Sequence, residues 1–250
     1  MQTVVCMKWG TRYGPEYVNR LYSMVKRHTR RPLRFICFTE DTHGIDSGVE
    51  THDLPPIDLP EFMSRRPWRK VGLWQTNLAG LEGDVLYLDL DLIVTGNIDE
   101  FFDYRPNSTF CVIRNWTTRN RIKSIYRKVG NTSCYRFRVG AHSYLYDKVQ
   151  DDPIGFWRKY RNSQTFISNE ISEITYWPDE WCVSFKHSLL PNWPQRMFRE
   201  AQLPPEAKIV AFTGKPDIDD VIAGNWPEKM ILKRPFKRFV KPEWVETHWR

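Results

Sequence analysis

The chain has 250 residues and a formal net charge of +7 with a sequence pI near 9.1, which favours anionic partners such as nucleotides, nucleic acid or acidic lipid headgroups. Its hydrophobic content of 41% and aromatic content of 14% are typical of a folded globule and exclude a disordered chain. Every apolar run is shorter than the roughly 18 residues that a membrane-spanning helix needs, so none is predicted.

Strands and helices are predicted to alternate over the first hundred residues. Between two β-rich runs, Tyr17, Leu21 and Val25 recur at the spacing of one helix face. The predicted order is a strand at 3–9, a helix at 15–29, a strand at 33–41, a helix at 65–81 and a strand that begins at 85. This βαβ pattern predicts a parallel sheet, and ligands bind such sheets at the carboxyl ends of the strands.

The second half of the chain is less regular. Strands are predicted at 108–116 and 135–147, and helices at 152–162 and 165–174. The segment 207–220 is predicted to be a strand that runs into a Gly-Pro loop. No internal repeat, low-complexity tract or linker is evident in the sequence. A single domain over 1–250 is therefore expected.

The expected compartment follows from the N-terminal segment and the cysteines. The first residues lack the basic start and the long apolar stretch of a signal peptide. The five cysteines are odd in number and scattered, with no CxxC pair, which favours reduced thiols over a disulfide framework. We therefore expect a cytoplasmic protein.

Two carboxylates interrupt the most apolar strand of the chain, in the run VLYLDLDLIVTGNIDEFF at 85–102. An ionised carboxylate in a buried strand is costly unless it meets a metal, a cation or water. Because residues i and i+2 of a strand share a face, Asp89 and Asp91 could bind one common partner. The alternative is a pair of carboxylates that caps a loop at the end of the strand.

The same run resembles the Asp-x-Asp segment of metal-dependent GT-A glycosyltransferases, most closely glycosyltransferase family 8, which includes glycogenin and lipopolysaccharide galactosyltransferases. The resemblance implies that Asp89 and Asp91 hold Mn²⁺ or Mg²⁺, and that the ion binds the diphosphate of a nucleotide-sugar. It also implies that Leu90, between the two aspartates, belongs to the nucleotide-sugar site, and it favours UDP as the nucleotide. It implies an α/β fold, a GT-A-like Rossmann-type sandwich with a mostly parallel central mixed sheet. The single domain would then comprise a nucleotide-binding half at 1–105, an acceptor and sugar half at 106–216, and a C-terminal extension at 217–250.

Two earlier segments fit the same resemblance. In the family, the loop after the first strand presents its backbone to the uracil and often stacks a tyrosine on it. The corresponding positions here are Lys8, Trp9, Gly10 and the stacking candidate Tyr13. Lys70 matches a lysine that reaches the nucleotide-sugar, by its four-residue spacing to a tryptophan, and arginines add positive charge beside it. The alternatives are a surface loop aromatic for Tyr13 and an exposed helix face for Lys70.

Two segments of the second half fit more loosely. Asn131 stands at the position of an asparagine that faces the sugar, and an ordinary turn asparagine is the alternative. Asn169 and Glu170 stand where the family places an Asp-Gln pair beside the transferred sugar. Asn169 could hydrogen-bond the sugar, and Glu170 could act as a base if it points inward. The alternative is an exposed pair at the start of a helix.

The last matching segment departs from the family pattern. Gly214 and Lys215 match residues that touch the diphosphate, but Ala211 occupies the place of the histidine that serves as the third protein ligand of the metal. Thr213 is the only nearby side chain with an oxygen. The resemblance therefore implies either low metal affinity in the absence of nucleotide, or a weakened or less metal-dependent enzyme.

Three functions follow as hypotheses. The first is an enzyme of polysaccharide biosynthesis that transfers a sugar from a nucleotide-sugar to a glycan or lipid-linked acceptor. The second is a nucleotide-sugar-binding protein with little or no turnover. The third, a nucleic-acid-binding module, is disfavoured because the sequence has no zinc spacing, RNP-like stretch or basic helix. The basic and aromatic residues of 217–250 could contact an anionic membrane or form an ordinary packed segment.

Overall fold

A computed structural model describes residues 1–116 and 129–250. The strands of the described residues are β1 Gln2–Lys8, β2 Leu33–Thr39, β3 Glu50–His52, β4 Asp84–Leu88, β5 Leu92–Val94, β6 Phe110–Arg114, β7 Gly130–Arg138, β8 Thr175–Tyr176, β9 Cys182–Ser184 and β10 Ile209–Ala211. The helices are α1 Pro15–Arg27, α2 Glu61–Ser64, α3 Asp99–Asp103, α4 Tyr144–Asp151, α5 Pro153–Tyr160, α6 Ser163–Glu170, α7 Ile218–Ile222 and α8 Glu243–His248. Short 3₁₀ segments at Pro67–Trp74, Gln195–Met197 and Ile231–Lys237, and one π-helical turn at Phe185–Leu189, complete the assigned elements.

Among the described residues, seven strands form the central sheet, in the order β3-β2-β1-β4-β7-β6-β8. The first four strands are parallel, β7 is antiparallel to both of its neighbours, and β6 and β8 are parallel. In the register, Val5 of β1 faces Ile36 of β2 and Tyr87 of β4. The sheet is therefore mixed and mostly parallel, which confirms the predicted α/β fold class. A second sheet has the order β5-β10-β9.

The central sheet has an apolar core on each face. Along β1, Val4 and Cys6 belong to one core, whereas Val5 and Met7 belong to the other, as the two-residue period of a strand requires. Helix α1 covers the first core and buries the residues that predicted its apolar face. All five cysteines are buried free thiols.

The predicted helix at 65–81 is wrong. This segment forms a 3₁₀ stretch at Pro67–Trp74 after the short helix α2, followed by turns. Gly72 lies so close to the backbone of Pro55 that an added Cβ would be 3.0 Å from its carbonyl oxygen. The Trp74 ring stacks 5.8 Å from that of Tyr135. Tertiary packing of these residues therefore outweighs the helical pattern that the sequence suggests.

The predicted strand at 135–147 ends earlier than expected. Strand β7 stops at Arg138, and Gly140 adopts a φ of 77°, a left-handed conformation that favours glycine. Helix α4 occupies the remainder of the predicted strand. The predicted helices at 152–162 and 165–174 are confirmed as α5 and α6, although α6 ends at Glu170.

The C-terminal segment is packed in one part and exposed in another. Val245 and Trp249 are buried in the first core, and the Trp249 ring lies 5.3 Å from that of Tyr17. By contrast, Leu232 and Phe236 are exposed. Within 1–116 and 129–250, none of the helices combines the length and the apolar character that crossing a membrane would require.

Candidate functional site

A cavity of about 460 Å³ lies beside the carboxyl ends of β1 and β4. Parallel strands of this kind end at one edge of the sheet, which brings residues distant in sequence to one place. The lining residues are Met7, Trp9, Gly10, Thr11, Arg12, Tyr13, Arg65, Pro67, Lys70, Asp89, Leu90 and Asp91. Seven of the predicted site residues are among them: Trp9, Gly10, Tyr13, Lys70, Asp89, Leu90 and Asp91.

Asp89 is held by two donors on one of its oxygens. Its Oδ1 accepts hydrogen bonds from the Lys70 ammonium and from the Tyr87 hydroxyl, the latter at 2.7 Å. The Lys70 side chain is only 7% exposed, so it is not the solvated helix-face cation of the alternative interpretation. The Oδ2 atom of Asp89 accepts no hydrogen bond from the residues that the structure describes. This oxygen is therefore available to a ligand.

Asp91 has a weaker set of partners. Its Oδ2 accepts one hydrogen bond from the Tyr13 hydroxyl at 3.1 Å. Burial, followed by the negative charge of Asp89, raises the pKa of Asp91 to about 6. The ammonium of Lys70 opposes this shift and does not cancel it. Asp91 itself forms no ion pair among the described residues, and a cation bound next to it would favour its charged form.

The acid pair fits a divalent cation only in part. Carboxylate oxygens are the ligands that Mn²⁺ and Mg²⁺ prefer, and Asp89 Oδ2 and Asp91 Oδ1 accept no hydrogen bond within the described part of the chain. However, no group of three or more His, Cys, Asp or Glu residues in 1–116 and 129–250 is arranged to hold a metal. Phe212, next to Ala211, donates its backbone N–H to the Asp91 carbonyl at 3.0 Å. The position of the missing histidine thus lies beside Asp91, with a methyl group in its place.

Two predicted residues, Lys8 at the end of β1 and Gly10 in the loop that follows, have partners outside the cavity. The Lys8 ammonium contacts the carbonyl oxygen of Asp41 at 3.1 Å and its Oδ2 at 3.3 Å, and Lys8 is absent from the lining. The Gly10 N–H donates to Glu40 Oε1 at 2.8 Å. Glu40 and Asp41 therefore hold the shape of the loop, and the Gly10 N–H is not free for a ligand in this conformation.

Four of the lining residues were not considered from the sequence: Met7, Thr11, Arg12 and Pro67. A fifth, Arg65, is one of the arginines beside Lys70 that the sequence left undecided between the site and an exposed helix face. The Arg12 guanidinium lies 4.9 Å from the centre of the Tyr13 ring. Arg12 could have been found from its closeness in sequence to Tyr13. Together with Lys70, the two arginines place three cations beside the two aspartates.

Three further predicted residues lie outside the cavity lining but are structurally linked to it. Asn131 is buried and accepts a hydrogen bond from Ser133 N at 3.0 Å, and Ser133 O accepts one from Asp89 N at 2.8 Å. Asn131 therefore supports the backbone that pairs with Asp89. Gly214 and Lys215 follow Phe212 in an exposed loop, and Lys215 forms ion pairs with Asp217 and with Asp220.

The structure does not bring Asn169 and Glu170 to the cavity. They lie at the end of α6, not at its start, and neither lines the cavity. Asn169 donates to the carbonyl oxygen of Thr165 in its own helix at 2.7 Å. Glu170 accepts from Lys148 at 2.7 Å, lies 3.5 Å from Lys159 and is hydrogen-bonded by Tyr160. The predicted inward orientation of Glu170 therefore has no support in the geometry.

The environment of Glu170 also opposes a role as a base. Burial raises the pKa of Glu170, but hydrogen bonds from Lys148 and Tyr160 outweigh this effect and lower the pKa below its usual range. A carboxylate with a lowered pKa is a weaker proton acceptor.

No protein-family model and no curated protein sequence matches the chain. Solved structures do match it. The galactosyltransferase LgtC in complex with donor and acceptor sugar analogs superposes with a TM-score of 0.59 and 10% identity, over 87% of this chain and 89% of that one. The glycosyltransferase GlyE of Streptococcus pneumoniae superposes with a TM-score of 0.58 and 14% identity, over 87% of this chain and 56% of that one.

Mouse xyloside xylosyltransferase 1 gives a TM-score of 0.53 at 13% identity, over 85% of this chain and 97% of that one. At such low identity these similarities establish the fold. The chain has the GT-A fold of LgtC and related glycosyltransferases, as the sequence resemblance predicted.

Proposed function

We propose that this protein is a metal-dependent glycosyltransferase that moves a sugar from a nucleoside diphosphate sugar, UDP being the favoured nucleotide, to a glycan or lipid-linked acceptor in polysaccharide biosynthesis. The observation that carries the proposal is the cavity in which Asp89, Asp91 and Lys70 meet the loop that contains Tyr13. The fold supports it, because LgtC, which shares this fold, is a galactosyltransferase with bound donor and acceptor sugar analogs.

The base of the donor would bind against the loop at 9–13. Trp9 and Tyr13 supply aromatic surface there, and both line the cavity. Aromatic rings can stack on any base, because every base has a flat π-face. The carboxylates of Glu40 and Asp41, which accept hydrogen bonds from Gly10 and Lys8, keep the loop in place.

The diphosphate would bind beside the acid pair. Arg12, Arg65 and Lys70 line this part of the cavity, and charged hydrogen bonds from arginine and lysine to phosphate are among the stronger polar interactions. Asp89 and Asp91 would hold Mn²⁺ or Mg²⁺, which when bound supplies charge against the departing nucleoside diphosphate. With Ala211 in place of a third protein ligand, oxygen atoms of the diphosphate and water would complete the ligand set.

The residues of this chain then have separate tasks. Lys70, fixed by Asp89, provides a positive charge that needs no reorientation during the reaction. Tyr13 orients Asp91 through its hydroxyl. Gly214 and Lys215 would meet the diphosphate if the loop gave up the ion pairs of Lys215 with Asp217 and Asp220.

A second candidate function is favoured by two specific observations. The third metal ligand is missing at Ala211, and Glu170 is occupied by its own ion pairs. Both are compatible with a nucleotide-sugar-binding protein of the same fold that has little or no turnover.

We also propose that the 3₁₀ segment Ile231–Lys237 contacts the surface of an anionic membrane. Support comes from Leu232 and Phe236, which are exposed among the basic residues of this segment. Binding to vesicles with and without anionic lipid tests this contact.

Calorimetric titration with UDP and GDP, each with and without Mn²⁺, tests the proposed donor site. We expect UDP to bind, and Mn²⁺ to strengthen its binding. A turnover assay with a panel of UDP- and GDP-sugars then separates the two candidate functions. Failure of every nucleotide to bind would refute both, whereas binding without turnover of any sugar would favour the second.

A further inference from the structure

Three cations surround one buried tryptophan in the second half of the chain. Trp226 is 8% exposed. The Lys237 ammonium lies 4.1 Å from the centre of its ring, the Arg196 guanidinium carbon 5.2 Å and the Lys186 ammonium 5.6 Å. The negative face of an indole ring attracts cations, so each position is favourable alone. Three positive charges around one neutral ring nevertheless repel one another.

No carboxylate compensates these charges within the part of the chain that the structure describes. Lys186, Arg196 and Lys237 form none of the ion pairs found there, whereas other lysines, such as Lys148, Lys208 and Lys215, do. Arg196 donates to the carbonyl oxygen of Phe236, and its buried Nε has no partner among the described residues. Burial and the charge of Lys237 lower the pKa of Lys186. The cluster is therefore short of negative charge.

A cavity of about 290 Å³ opens beside this cluster. Lys186 and Arg196 line it, together with Trp116, His187, Leu190, Pro191, Asn192 and Trp193. The Trp193 ring lies 4.9 Å from that of Phe236, and both side chains are about half exposed. The cavity thus combines cationic groups with an apolar rim.

The cluster lies at the same edge of the small sheet as the acid pair. Lys186 comes shortly after β9, which runs parallel to β10. The ring of Phe185 stacks 5.0 Å from that of Phe212, and Phe212 N donates to the Asp91 carbonyl. One pair of stacked rings therefore connects the cationic cluster to the donor cavity.

We propose that this cavity binds a phosphoryl group carried by the acceptor, held by Lys186 and Arg196. Lys237 contacts Trp226 outside the lining and adds positive charge to the cluster. A phosphate monoester carries between one and two negative charges at neutral pH and presents several acceptor oxygens, which matches a cluster of three cations. The guanidinium of Arg196 suits bidentate contact, and the two lysines act as point charges. The role of the acceptor rests on the proposed function, but the binding of a phosphoryl group does not.

The indole resonance of Trp226, assigned with a Trp226→Phe variant, reports on this site in solution. Titration with inorganic phosphate should shift the resonance saturably, whereas sodium chloride at equal ionic strength should not. Lys186→Gln should weaken phosphate binding about tenfold, the effect of losing one charged hydrogen bond. Lys237→Gln should weaken it by a smaller factor, because Lys237 does not line the cavity and acts only through its charge. Lys233→Gln is the matched control, because Lys233 is an exposed cation of the same 3₁₀ segment and is not among the described cations that lie over the Trp226 ring.

The proposal is overturned if inorganic phosphate gives no saturable shift, or if Lys233→Gln weakens binding as much as Lys186→Gln does. In the second case the binding would reflect diffuse surface charge. Binding of farnesyl phosphate and of farnesol then shows whether the phosphoryl group belongs to a lipid or to a soluble acceptor. Tighter binding of farnesyl phosphate than of inorganic phosphate indicates a lipid phosphate, and equal binding indicates a soluble phosphorylated acceptor. Equal binding of farnesol and farnesyl phosphate overturns the proposal, because the site would then recognise the hydrocarbon.

Calorimetry with UDP on the same proteins separates this inference from the proposed donor site. Lys186→Gln should bind UDP as the unmodified chain does, since Lys186 does not line the donor cavity. If the unmodified chain binds phosphate at Trp226 but no nucleotide, the proposed function fails and the phosphoryl site stands.

Discussion

Asp91 and Glu170 are both partly buried carboxylates at the ends of structural elements, but their surroundings differ. Asp91 has one hydroxyl donor, a neighbouring carboxylate and a raised pKa. Glu170 has two ammonium groups and a hydroxyl, and its pKa is lowered. A carboxylate that the protein leaves short of positive charge indicates a place for a ligand, whereas one with several donors indicates a role in the scaffold.

The largest expected difference between the two carboxylates is their effect on turnover. Asp89→Asn and Asp91→Asn should each lower turnover by a factor on the order of 10²–10³, because each removes a carboxylate that would hold the metal ion whose charge stabilises the departing nucleoside diphosphate. Glu170→Gln should leave turnover per folded molecule unchanged. Release of UDP from a UDP-sugar measures turnover, circular dichroism checks the fold, and Asp151→Asn, an exposed aspartate at the end of α4, is the control. Full activity of either cavity variant would refute the assignment.

Glu170, which should not affect turnover, should instead contribute to the stability of the fold. Glu170→Gln should lower the free energy of unfolding by about 2 kcal/mol at neutral pH, because charged hydrogen bonds to Lys148 and Tyr160 are lost. Since its folded pKa is lowered, Glu170 stabilises above the unfolded pKa, and this contribution is lost as pH falls through the folded value. Urea unfolding of Glu170→Gln and of the control Glu173→Gln, an exposed neighbour, measures the difference. Equal stability of the two variants would contradict the scaffold role.

Asp91→Asn should act in the opposite direction in the metal-free protein. The folded pKa of about 6 lies above the unfolded value, so the ionised carboxylate costs stability at higher pH. The variant should be more stable than the unmodified chain by up to about 3 kcal/mol near pH 8, and this gain should shrink as pH falls towards about 4. Urea unfolding over this pH range tests it. Mn²⁺ should stabilise the unmodified chain and not the variant, and a pH-independent difference would contradict the electrostatic explanation.

The smallest expected effect concerns Tyr13. Tyr13→Phe removes the hydroxyl that contacts Asp91 and keeps the ring, so UDP affinity in the presence of Mn²⁺ should fall only about threefold to fivefold, as expected for one hydrogen bond. Tyr13→Ala should cost more, because the stacking surface is lost as well. Calorimetry compares them, and equal losses would show that the ring does not contact the base.

The first half of the chain, which contains the proposed donor site, could be predicted from sequence because the patterns that indicate it are local. The alternation of strands and helices places the ends of β1 and β4 at one edge of the sheet, and the acid pair lies in a distinctive apolar run. Contacts between distant residues were not predictable, since the pairing of Lys70 with Asp89 depends on a 3₁₀ stretch that the sequence presents as a helix.

The second half was predicted less well for a related reason. The position of Glu170 in the motif suggested catalysis, but its partners Lys148 and Lys159 come from α4 and α5, and only the packing of three helices brings them together. The cluster around Trp226 was likewise invisible, because its cations come from three separate segments.

The packing of Trp249 has a practical consequence for shortening the chain. Its ring lies against Tyr17, whose own ring is 4.8 Å from that of Tyr13, the residue that contacts Asp91. Truncation before α8 would therefore remove packing that supports the loop at 9–13, the proposed site of the base, although α8 is more than two hundred residues away in sequence. Affinity for the donor should decline in such a fragment even where its two sheets remain intact.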